Sequence, residues 1–95
     1  MSKRARNKSD KNIFTTLGFD EAEAGVLQMR ARLMADLRLY IKEHGLTQFQ
    51  AAELLGITQS RVSDLVRGKW QKFNLEMLIR LEARIGRTVR LELAA

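Results

Sequence analysis

Apolar residues recur at helical spacing along most of the chain and change to strict alternation only near its end. From 20 to 44, Val26, Leu33, Leu37, Tyr40 and Ile41 form a stripe at three- and four-residue intervals, widened by Leu27 and Met34. Asp20 with Glu23 reads as a capping box that opens this helix, and Gly45 as a left-handed residue that ends it. Gly25 is the place where a break is expected, and the N-terminal half is expected to extend beyond a compact domain toward another chain. Thr47 with Gln50 opens a second helix over 48–55. Thr58 opens a third over 59–66, ended by Gly68, and Asn74 a fourth over 75–85, closed by Gly86. On the fourth, Leu75, Leu78, Ile79, Leu81, Glu82 and Ile85 span the inner face and its edge. Residues 87–93 then alternate, with Val89, Leu91 and Leu93 on one side and Thr88, Arg90 and Glu92 on the other, which predicts a half-buried strand. A lone strand leaves its backbone unsatisfied. Its mate within the chain would be the patch of Ile13, Phe14, Leu17 and Phe19, read as an extended segment. Pairing with the same strand of a second copy is the preferred alternative.

Residues 47–68 organise the rest. Two short helices cross at close range only where the facing residue is small, and Ala52 is; the turn between them needs positive φ, and Gly56 allows it. Ala51, Leu55, Ile57, Val62 and Leu65 fall where they share one interior. Thr58, Gln59, Ser60, Arg61, Ser63, Asp64 and Arg67 are left outward, a polar face suited to base edges and phosphates. The plainer reading of the same pattern is an αα-hairpin packed for stability alone.

Charge favours the first reading. Among 95 residues, 17 lysines and arginines face 11 aspartates and glutamates, a formal net charge of +6 with pI near 10.3. Such an excess favours a polyanion. No apolar run approaches the roughly 20 residues that span a bilayer. Residues 1–12 lack the apolar core of a signal peptide and there is no cysteine, which together suit a cytoplasmic protein. Lys3, Arg4, Arg6, Lys8 and Lys11 against Asp10 make 1–12 read as a disordered basic arm, either a DNA-reaching segment or a solubilising tail. Residues 13–95 then form a single domain, small enough that dimerisation would help bury apolar surface.

Residues 47–69, flanked by 37–45 and 75–85, resemble the Xre or phage-repressor type of helix-turn-helix, in which Gly-Leu-Thr-Gln opens the second helix and Arg-Gly-Lys follows the recognition helix, as Gly45 to Gln48 and Arg67 to Lys69 do here. The resemblance implies an all-α, lambda-repressor-like bundle of four or five helices with a C-terminal dimerisation strand. More narrowly, Leu17-Gly18-Phe19 before a long helix, Gly68-Lys69-Trp70 with Phe73, and the terminal Val-Arg-Leu-Glu-Leu are similar to HigA-type antitoxins. Those bind their own operator and neutralise an mRNA-cleaving toxin. By this analogy Gln59 and Ser60 enter the major groove, where Gln59 has the geometry for adenine N6 and N7. Arg61 is a candidate for guanine or phosphate, and Asp64 for cytosine N4 or for an ion pair with Arg61 or Arg67. Gln48, Arg67, Lys69 and Lys72 are the expected phosphate contacts, and Val89, Leu91 and Leu93 the expected dimer contacts. The partners implied are a palindromic double-stranded operator, a second copy of the chain, and a small basic ribonuclease toxin.

Trp70 and Phe73 are expected to cover the base of the fourth helix rather than to stack on single-stranded bases. His44, the single histidine, lacks the ligand cluster a metal needs, and no hydroxyl has a base partner. No catalytic residue, cofactor or metal is expected. A stand-alone regulator without a toxin, and an RNA-binding or adaptor protein, remain the competing readings.

Overall fold

In the computed structural model of the chain, residues 12–95 are described. The expected basic arm, apart from Asn12, lies outside them. The described residues hold five α-helices and one 3₁₀ turn, with no strand: α1 (Ile13–Thr16), α2 (Glu21–Glu43), α3 (Gln48–Leu55), α4 (Gln59–Val66), the turn Trp70–Lys72, and α5 (Leu75–Arg84). Each α-helix begins at an Asx or Thr cap whose side chain accepts an amide of the first turn: Asn12, Asp20, Thr47, Thr58 and Asn74. At Thr47 the bond is reciprocal, Gln50 accepting from the Thr47 amide at 2.9 Å.

The patch 13–19 is not the extended segment expected of it. Asn12 Oδ1 accepts from the Phe14 amide at 2.8 Å and starts a single helical turn, which Gly18 leaves at φ 103°. The Asn12 amide group also donates to Ala24 O at 2.7 Å and Gln28 Oε1 at 2.9 Å, tying this turn to α2. Phe14 is buried there with Ala24 and Leu27, so the N-terminal half of α2 is covered by the chain's own first helix. Gly25 does not break α2. A helical glycine costs about 1 kcal/mol relative to alanine, and the buried Ala24 and Leu27 beside it hold the turn in place.

The larger core lies between the C-terminal half of α2 and the later helices. Met34, Leu37 and Ile41 meet Ala51, Ala52 and Leu55 of α3, Val62 and Leu65 of α4, Phe73, and Leu78 and Leu81 of α5. Trp70 touches both clusters. Its ring meets Phe14 edge-on at 5.7 Å and Phe19 at 6.3 Å.

One charged group enters this interior. Glu82 is 2% exposed, and neither of its carboxylate oxygens has a hydrogen-bond partner among the described residues. Burial foremost, and then the neighbouring Asp36 carboxylate, raise its pKa from 4.5 to about 7, against the lowering effect of Arg87. Arg87 itself donates to Asp36 Oδ1 at 2.7 Å and lies over the Tyr40 ring.

The expected strand over 87–93 is corrected as well. Beyond the Arg87 amide, which donates to Glu82 O, residues 87–95 carry no regular structure. The alternation is present, but the described residues offer no extended neighbour, the patch 13–19 being taken up by α1 and the turn that follows it. Val89 is left partly exposed, and Leu91 and Leu93 are 80% and 88% exposed. This segment walls a groove of about 590 Å³ with Met29, Leu33, Leu75 and Ile79. No helix among the described residues is long and apolar enough to cross a membrane.

Candidate nucleic-acid interface

The α3–turn–α4 unit is held from below by α5. Gly56 adopts φ 73° and donates to Ala52 O at 2.8 Å, reversing the chain within one residue. Arg84 lies over this turn: its Nε donates to Leu54 O at 3.1 Å, and a Cβ on Gly56 would come within 3.1 Å of its Nη2. The guanidinium satisfies a carbonyl left open at the end of α3 and complements the helix dipole there. Ala51, Ala52, Leu55, Val62 and Leu65 are all buried at the crossing.

Thr58 Oγ1 accepts from the Arg61 amide at 3.0 Å and fixes where α4 begins. Gln59 and Ser60 therefore stand exposed in its first turn, with no side-chain hydrogen bond among the described residues. Val62 and Leu65, one turn on, are fully buried, so the helix cannot roll about its axis without exposing core. Gln48 is exposed as the first residue of α3.

Arg61 and Asp64 are placed differently from Gln59 and Ser60. The Arg61 guanidinium donates to Lys72 O at 2.8 Å and lies 5.7 Å over the Phe73 ring, which engages it inside the chain. Asp64 is half-buried, and its nearest cation is Lys69, at 3.9 Å, rather than Arg61 or Arg67. The Lys69 amide also donates to Asp64 O at 3.0 Å. Together these contacts fold the segment after Gly68 back along α4.

Arg67 at the end of α4 and Lys69 and Lys72 on that segment are exposed. Arg38 of α2 joins them from beneath, since a Cβ on Gly68 would meet its Nη1 at 3.2 Å. A surface of this kind, two uncommitted polar side chains on a fixed helix end beside a cluster of cations, suits base edges flanked by phosphates.

Trp70 and Phe73 cannot serve as a stacking platform: Phe73 is buried in the core, and Trp70 is half-buried against Phe14 and Phe19. His44 stacks on Tyr40 at 3.9 Å, with Nδ1 placed 3.0 Å from Tyr40 O. Asn12, Arg38, Arg84 and Arg87 were not singled out in the sequence. Asn12 had a signal, an Asx residue directly before an apolar patch. The three arginines had none, because what they hold lies far along the chain.

A family model described as a helix-turn-helix domain matches residues 13–94, well over half of the chain. No curated protein matches it.

Proposed function

Because the chain belongs to the helix-turn-helix domain family, we propose that it is a sequence-specific double-stranded DNA-binding regulator that represses transcription by occupying an operator. The observation that carries this is the exposed first turn of α4, Gln59 and Ser60, on a helix whose other face is fully buried and whose flank bears Arg67, Lys69 and Lys72. Gln59 and Ser60 read base edges in the major groove, while Gln48, Arg67, Lys69 and Lys72 hold the backbone. Arg61 positions the cationic segment instead of reading a base, and Asp64 tethers Lys69. The working unit is a two-fold dimer joined through residues 87–93, which sets two α4 helices about 34 Å apart on a palindromic site.

The finer reading is an antitoxin that represses its own operon and neutralises a small basic ribonuclease. It is supported by the likeness in residues 17–19, 68–73 and 89–93, and by the apolar side chains left exposed outside the α3–α4 unit, Ile13, Leu17, Met29 and Leu39. A neighbouring reading frame for such a ribonuclease, and co-purification of the two products, separate it from a stand-alone regulator.

The test is binding selection from a randomised duplex library with the wild type and Gln59→Ala. A changed preference at one or two positions per half-site is expected. An unchanged preference sinks α4 as the reader, and tighter binding to RNA than to duplex DNA across salt sinks the DNA reading.

A further inference from the structure

The groove of about 590 Å³ between α2 and α5 falls in the size range of small-molecule sites. Its walls are Met29, Leu33, Leu75 and Ile79, and the buried Glu82 lies at its base. Both Glu82 oxygens are without a hydrogen-bond partner among the described residues, which costs free energy until something completes them. Charge says what that is. Asp36 of α2 stands beside Glu82, and the cation acting on both is Arg87, whose guanidinium donates to Asp36 Oδ1 at 2.7 Å. With both carboxyls ionised, two negative charges share one positive charge, and the base of the groove is one cation short. In the absence of that cation Glu82 holds a proton instead, the direction in which its pKa is raised, to about 7. An anion there would meet the same two carboxyls and be repelled. Arg32, Arg90 and Glu92 also line the groove, but they are exposed at its mouth, where solvent and salt weaken their pull. Residues 88–92 form one side without regular structure, so moving them to reach Glu82 breaks no helix.

We propose that this groove binds a small primary ammonium ion carried on an apolar body, the ammonium donating to Glu82 beside Asp36 and the body lying along Leu33 and Ile79. The site is built from other elements than the α4 surface, and it does not depend on DNA binding. An ammonium ion supplies the missing charge and the missing donors together, while its hydrocarbon covers the apolar walls.

Three probes of one length and different charge test it on the full chain: n-hexylammonium, 1-hexanol and hexanoate. Backbone amide shifts in a nuclear magnetic resonance titration give both the affinity and the place of binding. At pH 8, hexylammonium should bind roughly 10- to 100-fold more tightly than hexanol, shifting amides of residues 29–36, 75–82 and 88–92, and hexanoate should bind most weakly. The preference for hexylammonium should shrink at pH 5.5, where Glu82 is protonated before the ligand arrives. Glu82→Gln, with its helices verified by circular dichroism, should bind hexylammonium no better than hexanol and leave the affinity for hexanol unchanged. Hexanoate binding as tightly as hexylammonium would overturn the proposal. So would a preference for hexylammonium that survives in Glu82→Gln, or shifts confined to other parts of the chain.

Discussion

Replacing Glu82 with Gln should make the protein more stable at pH 8 and remove much of the pH dependence of its stability. The carboxyl group is 2% exposed and its pKa is raised from 4.5 to about 7, by burial first and by Asp36 next, against Arg87. In the window between these values the folded chain holds a proton that the unfolded chain has released. The stabilisation from that proton is therefore complete below about pH 4.5, declines as pH rises, and is gone above about 7. At about 1.4 kcal/mol per unit the ceiling is roughly 3 kcal/mol, and relaxation around a carboxylate near Arg87 brings the expected loss to about 1–3 kcal/mol. Glutamine keeps the shape, carries no titration, and can donate its amide N–H to Asp36. Urea unfolding of both proteins at pH 5 and pH 8, at one ionic strength, measures the difference. Titrating groups remote from Glu82 are common to both chains and cancel, so the difference reports Glu82 together with its coupling to Asp36. Parallel pH profiles for wild type and Glu82→Gln would refute the reasoning, because they would mean that Glu82 titrates alike folded and unfolded.

Other substitutions probe the parts that hold α4. Gly56→Ala forces a side chain into φ 73° and against Arg84; it should cost roughly 2 kcal/mol, lowering Tm by about 10 °C in a thermal melt. Trp70→Ala removes the ring shared by both apolar clusters and should cost about 2–4 kcal/mol, less than a fully buried tryptophan, with amide-exchange protection of α1 lost before that of α3. Lys69→Ala should lower the salt slope of DNA binding by about 1 without changing sequence preference. Arg61→Ala should instead cost about 1 kcal/mol of stability, read in the same melts, and leave the sequence preference of DNA binding unchanged.

What could be read from the sequence was local. The caps Asp20, Thr47, Thr58 and Asn74 and the glycines at 45, 56 and 68 act within a turn of themselves, so α2, α3 and α4 begin and end where those residues foretell. Gln59 and Ser60 were legible as outward for the same reason: the buried Val62 and Leu65 fix the face opposite them. The helix at 13–16 is too short to show any period, and its cap was hidden as the last residue of a polar run. The contacts of Arg61 with Lys72, Arg84 with Leu54 and Arg87 with Asp36 span 11, 30 and 51 residues, beyond any local pattern. Alternation at 87–93 tells which side chains share a face. It cannot supply a hydrogen-bonding neighbour, and the described residues contain none in place. The burial of Glu82 was half legible, since its position on the edge of α5 was clear but the carboxylate facing it from α2 was not.

Trp70 is the chain's single tryptophan, and its indole stands where α1, the long α2 and the cationic segment after α4 come together. Its emission is consequently a built-in optical probe with two distinguishable responses. Detachment of α1 would wet the ring and shift the emission to the red while the helical signal from α3 to α5 persists. Phosphates settling on the adjacent Lys69 and Lys72 would perturb it with no such shift. A single label-free channel thus separates loosening of the N-terminal helix from the binding of DNA, without adding a dye or altering any residue.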